Sequence, residues 1–294
     1  MDRNALLLGV DGGGTQCRAR LAAASGTKLG EGTGGPANIR FGLEQSFSAV
    51  LDATSQCLQQ AGLAQRDLSR VVACLAMAGA SEPAELAAAQ SHSHPFARLL
   101  VISDAQAACI GAHGGGDGGV IIVGTGSIGW AELNGRQLRV GGWGSVVSDE
   151  GSGAWLGREA LRLTLWANDG RIPWTDLLTS LFAQFQSDPH RLVRWAAQAT
   201  PRDFGSLAPH IVEHAARDDA AAIELIRLAA IHIDALAARL VALGADRLAL
   251  AGGLAPYIEP WLRDEMRQHL ITPAGDALDG ALRLARVAIG VLAA

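Results

Sequence analysis

The first hydrophobic run, Leu6 to Val10, stops at Asp11-Gly12-Gly13-Gly14-Thr15, after which Cys17, Ala19 and Leu21 alternate with Arg18 and Arg20. A continuous apolar run reads as a buried strand and strict alternation as a half-buried one, so the pattern predicts strand, glycine-rich turn, strand. Ser25-Gly26 turns the chain into a third short segment, Lys28 to Gly32, which gives a three-stranded antiparallel start. From Leu43 to Ala61 the spacing becomes helical, with Phe47, Val50, Leu51, Thr54 and Leu58 on one face and Gly62 as a stop. Val71 to Met77 and Leu99 to Ile102 then read as buried strands, the second followed by Ser103, Asp104 and a helical Ala105 to Ala112.

The second half opens with the same device. Val120 to Val123 is an apolar strand ending in Gly124-Thr125-Gly126-Ser127, and Trp130 to Val140 is broken by Asn134-Gly135, the strongest short hairpin signal. Beyond Asp149 to Gly153 the chain turns helical, most clearly from Asp219 to Leu243, where Ile223, Ile226, Leu228, Ile231, Leu236 and Leu240 mark a broad apolar face. A last strand, Arg247 to Ala251, meets Gly252-Gly253. The stretch Gly111 to Gly119 is the natural hinge, so two domains, 1–115 and 116–294, are expected, the last helix being able to pack back on the first.

Composition narrows the function classes. The 294 residues are 49% hydrophobic and 18% charged, as in a globular protein. Mean hydropathy is +0.19. A net charge of -5 without any Lys/Arg-rich run disfavours a nucleic-acid partner. The four cysteines, Cys17, Cys57, Cys74 and Cys109, form no CxxC, so neither a disulfide framework nor a zinc site is signalled. Met1 to Ala5 leads straight into the first strand, with no charged leader or long apolar stretch, and a cytoplasmic protein without membrane attachment is expected. The 36 glycines are clustered, which points to loops where backbone approaches a ligand.

Gly124-x-Gly126-x-x-Gly129 is a literal dinucleotide fingerprint. That fingerprint must open a helix, whereas here a hairpin follows, so the Rossmann reading fails, and no GxxxxGK[ST] offers a P-loop instead. What remains is a turn whose backbone amides can form an anion-binding concavity, and Gly12 to Thr15 offers a second. One such loop would pass as a tight hairpin; two that open successive halves point to nucleotide phosphates. Asp11 ends a buried strand, where a carboxylate needs a cation or donors; beside phosphates the cation would be Mg2+, and capping its own turn is the alternative. Asp104, between a strand end and a helix, reads as a general base for a phosphoryl acceptor or as a helix N-cap. Asp149 carries the same ambiguity. His210-x-x-Glu213-His214 matches an inverted zincin motif but lacks a marked third ligand, and His92-x-His94 reads as loop. Trp143, set in Gly141-Gly142-Trp143-Gly144, suits a sugar-facing wall.

Val10 to Thr15, Ser103-Asp104-Ala105, Gly124 to Ser127, Gly141 to Gly144, Ser148-Asp149-Glu150-Gly151-Ser152-Gly153 and Ala251-Gly252-Gly253 resemble, in order and spacing, the N-acetylglucosamine kinase and BadF/BadG/BcrA/BcrD ATPase family. Thr200 to Gly205 and Asp279 to Leu282 are similar to bacterial glucosamine kinases, while the Trp143 segment looks closer to N-acetylglucosamine kinases. The resemblance implies an α/β fold of two ribonuclease-H-like, actin-like ATPase domains with an interdomain cleft, binding ATP, Mg2+ and an amino sugar. It implies that Asp11 orients Mg2+ through water. Gly12, Gly13, Gly14, Thr15, Gly124, Thr125, Gly126 and Ser127 would hold phosphates, and Gly252 and Gly253 the adenosine. Asn38, Asp104, Thr125, Gly142, Trp143 and Asp149 would hold the sugar, with Asp104 as the base acting on its 6-hydroxyl. A homodimer is compatible with the resemblance, and N-acetylglucosamine and glucosamine both remain open as acceptors. Two rival classes share the fold. The ATP-driven activator of a radical dehydratase needs cluster-binding cysteines, and none follows Cys109; a nucleotide and sugar sensor would not need Asp104.

Overall fold

A computed structural model of the chain describes residues 5–80 and 82–292; the lead-in at 1–4 lies outside them. The chain divides into two compact units, one running to Gly118 and resuming at Thr272, the other Gly119–Ile271.

The first unit is built on β1 (Leu6–Gly12), β2 (Cys17–Ala23), β3 (Lys28–Gly34), β4 (Val71–Met77) and β5 (Arg98–Ser103), in the order β3-β2-β1-β4-β5. β1, β2 and β3 pair antiparallel, and β4 and β5 continue parallel to β1. Both faces are covered, which is why β1 is apolar from Leu6 to Val10: Leu6, Leu8 and Val10 pack with α1 (Leu43–Gln60), and Leu7 with the opposite layer. α1 lies unusually close to β3. Gly30, Gly32 and Gly34, two apart on the strand, face the carbonyls of Cys57, Ala53 and Ala49, four apart on the helix, and a Cβ on any of the three would collide there. Part of the glycine excess is therefore packing within elements, which corrects the expectation that it belongs to loops. α2 (Pro83–Gln90) has an alanine-rich sequence with no periodic apolar face to announce it. α3 (Asp104–Ala112) follows β5 directly.

The second unit repeats the order with β6 (Gly118–Val123), β7 (Ser127–Leu133), β8 (Arg136–Gly141) and β9 (Leu248–Ala251), arranged β8-β7-β6-β9. β6 and β7 are neighbours joined by three residues, a connection that can only reverse direction, and β9 runs parallel to β6. Asn134 and Gly135, at φ 51° and 74°, make the tight turn of β7 and β8. A helical insertion lies between β8 and β9: α4 (Gly153–Asn168), α5 (Asp176–Gln184), α6 (Pro189–Ala196), α7 (Pro201–Gly205), α8 (Ala208–Ala215) and α9 (Ala220–Ala242). Ile121 and Val123 of the sheet share a core with Leu156, Leu181, Ile226 and Ile233 of these helices. Two short helices, α10 (Ala255–Ile258) and α11 (Asp264–Arg267), follow β9.

The chain then returns to the first unit as α12 (Ala277–Leu292). It packs on α3 and on the β1 face that carries Leu7, with Gly280 against Ala107 and Gly111 against Asp276. Among the described residues no helix is long and apolar enough to cross a membrane.

Candidate functional site

In the first unit the register aligns three strand ends: Gly12 pairs with Met77, and Met77 with Ser103. The glycine loop, Ala78 and Asp104 consequently leave the sheet along one edge, Gly12 and Ser103 being two strand spacings, about 10 Å, apart. The loop is pinned at its base. Gly13 N donates to Gln16 O (3.0 Å), Ala37 N to Gly13 O (3.0 Å) and Ala78 N to Gly12 O (2.7 Å). Among the described residues the amides of Gly14 and Thr15 meet no protein acceptor, so both can serve an anion. Asn38 bridges to Ala78, and its Oδ1 accepts from Arg40 N at 3.0 Å. Its Nδ2 stands 4.0 Å from where a Gly14 Cβ would be, which puts it beside the loop.

Asp11 already has a cation, because Arg18, its cross-strand partner, donates Nη2–H to Asp11 Oδ2 at 2.7 Å. Arg18 Nη1 also lies 3.3 Å from Asp276 Oδ2. No local signal marks Arg18 as this partner; a hairpin turning at Gly14-Thr15 sets residues 11 and 18 opposite each other. Mg2+ usually keeps most of its waters and takes few carboxylates, so one half-engaged carboxylate beside a phosphate loop fits an outer contact through water. Among the described residues no cluster of three His, Cys, Asp or Glu could hold a metal by itself, His210, Glu213 and His214 included.

Asp104 is not the N-cap. Ser103 takes that role, its Oγ accepting from Gln106 N at 3.1 Å, while Asp104 opens α3 with Oδ1 accepting from Ala105 N at 2.9 Å.

In the second unit Gly124, Thr125 and Gly126 form the turn after β6, closed by Gly124 N donating to Gly126 O at 2.9 Å. The start of α4 docks on it, Gly153 N donating to Gly124 O (2.8 Å) and Ala154 N to Thr125 O (3.0 Å). Ser127 Oγ–H donates to Glu150 O at 2.8 Å. Asp149 sits in the left-handed region at φ 61°, and its Oδ1 accepts from Gly144 N at 3.1 Å. Its Oδ2 would stand 2.7 Å from a Gly126 Cβ, so glycine there is what admits the carboxylate to the loop. Asp149 is not a helix cap either, since Ser152 caps α4. Gly252, at φ 98°, lies against Val123, whose carbonyl a Cβ would strike; Gly253 is open. Gly142 follows β8 where Gly141 pairs with Ile128, hence at the edge that carries the loop.

Trp143 is 60% exposed, with the Arg139 guanidinium 3.9 Å over its ring. Arg139 also donates to the carbonyls of Gly141 and Gly142, which orients this segment. Arg139 was marked by no sequence signal beyond its neighbourhood; Gly205, which closes the Thr200 to Gly205 segment, has its Cβ position 3.4 Å from the Thr125 methyl.

Two mixed sheets of related strand order, each ending one edge in a glycine turn, define an α/β protein of the actin-like fold. The ROK family glucokinase from Streptomyces griseus, solved with glucose and AMPPNP, matches at TM-score 0.54 and 19% identity over 96% of this chain and 100% of that one, a likeness of fold alone. The sequence profile of the BadF/BadG/BcrA/BcrD ATPase family matches residues 8–272, and the chain belongs to that family. Glucosamine kinase GspK of Vibrio cholerae is 39% identical over 278 residues, 95% of each protein. A solved structure of a proposed N-acetylglucosamine kinase from Chromobacterium violaceum is 38% identical, with TM-score 0.90 over 96% of this chain and 99% of that one.

Proposed function

We propose that the chain is a cytoplasmic, ATP-dependent hexosamine kinase that transfers the γ-phosphoryl group to the 6-hydroxyl of glucosamine or N-acetylglucosamine. The observation that carries this reading is the shared edge of the first sheet, where Asp104 leaves β5 in line with the glycine loop that leaves β1. The 39% identity to a glucosamine kinase supports it.

Asp104 accepts the proton of the attacking hydroxyl, which raises its nucleophilicity as the O–P bond forms. The amides of Gly14 and Thr15 and the second turn, with the Thr15 and Thr125 hydroxyls, bind phosphate oxygens. Gly252 and Gly253 leave bare backbone for the adenosine. Asn38, Gly142, Trp143 and Asp149 orient the acceptor, which converts a collision into a positioned encounter. Bound Mg2+ would supply charge neutralisation to the β- and γ-phosphates, and Asp11 would hold it through water.

The cysteines argue against a radical-dehydratase activator. All four cysteines are buried, and burial pushes the Cys17 and Cys57 thiols up to about 11 and Cys74 to about 12, the opposite of what a cluster ligand needs. Phosphorus NMR of the product tests the position of transfer. A phosphate on O6 couples to two methylene protons and gives a triplet; a doublet, from a secondary hydroxyl, would remove O6 from the proposal.

A further inference from the structure

A cavity of about 510 Å³ opens in the first unit away from the glycine loop. Buried Leu7 and Ala22, partners across β1 and β2, form its floor. From Leu7 to Gly12 the strand rises about 16 Å, so this floor is well removed from the phosphate turn. Leu282 of α12 and Ile110 of α3 extend the apolar lining.

The exposed side of the cavity is cationic. Arg283 and Arg286 lie one turn apart on α12, and among the described residues neither has a carboxylate partner. Asp279, the carboxylate that also lines the cavity, is committed elsewhere: its Oδ1 takes Arg20 Nη1 at 2.6 Å and its Oδ2 the amide of Asp276 at 3.0 Å. Both arginines are seated against bare backbone, since a Cβ on Gly115 would strike the Arg283 side chain and one on Gly26 the Arg286 guanidinium. Side chains at those two positions would displace the guanidinium groups.

Guanidinium groups prefer planar oxyanions, with which they form paired, charge-assisted hydrogen bonds. Hydrocarbon laid over half-buried Leu282 and exposed Val287 would take apolar surface out of water. A volume of this order accommodates a small metabolite. We propose that the cavity binds a small organic oxyanion, with a phosphate or carboxylate head between Arg283 and Arg286 and a short hydrocarbon body against Leu282 and Val287.

Isothermal titration calorimetry on the full chain tests the site, with ADP saturating so that nucleotide binding is out of play. Hexyl phosphate, hexanoate, inorganic phosphate and hexanol are the probes. Hexyl phosphate or hexanoate should bind at least about tenfold more tightly than inorganic phosphate or hexanol, because only they engage both surfaces, and the tighter of the two names the head group. Arg283→Gln and Arg286→Gln, each at an exposed position, should separately weaken that probe by about fivefold or more. Equal affinity for inorganic phosphate, or binding unchanged in both variants, would overturn the proposal. Melting curves of both variants establish that they are folded, and either one alone suffices as the readout.

Discussion

Because Ser103 takes the N-cap of α3, Asp104 keeps its carboxylate in the first helical turn, on the same sheet edge that carries the glycine loop. Asp104→Asn keeps the size and loses the basicity. Turnover should fall by roughly 10²- to 10⁴-fold while nucleotide affinity, followed by a fluorescent ATP analogue, stays within about twofold. Turnover near that of the unmodified protein would take Asp104 out of the reaction. The position of this residue was legible in the sequence, as a carboxylate at the junction of strand and helix, but its alternative as a cap was not resolvable there. Ser and Asp both cap helices, and only backbone geometry shows which of two neighbours does so. Asp11 shows the limit of a local reading: the Arg18 guanidinium that pairs with it lies seven residues along, placed by the hairpin register.

At the scale of elements, glycine spacing decides how closely layers pack. Gly32→Ala would drive a Cβ into the Ala53 carbonyl of α1 and should cost about 1–3 kcal/mol, seen as a lower urea midpoint; an unchanged midpoint would mean that the layers have slack there. The sequence showed these glycines without revealing their partner, because the pairing of a two-residue with a four-residue period needs two elements far apart in the chain. A second junction is electrostatic. Asp219 joins the starts of two helices, Oδ1 accepting from Ala221 N and Ala222 N of α9 (both 3.0 Å) and Oδ2 from Leu177 N of α5 (2.9 Å). Burial alone would push its carboxyl up, but the Leu177 and Ala222 amides, the Thr175 hydroxyl and the Ala221 amide together outweigh burial and hold it below the ordinary 3.8. A carboxyl lowered on folding contributes stability that is complete above about pH 4 and fades as pH falls through its folded value. Asp219→Asn should therefore be less stable than the unmodified protein at pH 7 by about 1–2 kcal/mol, with the gap narrowing in acid. A gap constant from pH 7 to 3 would contradict this role. α9 was readable from its long periodic face, unlike α2, whose alanines present no stripe to read.

At the scale of the molecule, both units place a strand pair on one side of their first strand and parallel strands on the other, the first adding β5 beyond β4, and the second carrying the helices inserted after β8. That repetition was visible as two glycine turns at matching points of two strand runs, while the actin-like class came from the resemblance of the motifs. That α12 belongs with β1 was much harder to read, because its partners, Gly111 and Ala107 among them, lie more than 160 residues earlier and no local pattern encodes such a contact. The family assignment and the likeness to glucosamine kinase GspK bring the account to one central claim, that ATP is consumed to phosphorylate an amino sugar. A coupled assay of ADP release with the purified chain, Mg2+ and ATP, across glucosamine, N-acetylglucosamine, glucose and N-acetylmannosamine, tests it most directly. The account predicts ADP release that depends on glucosamine or N-acetylglucosamine and is far weaker with glucose; ADP formation that no hexosamine stimulates would contradict it.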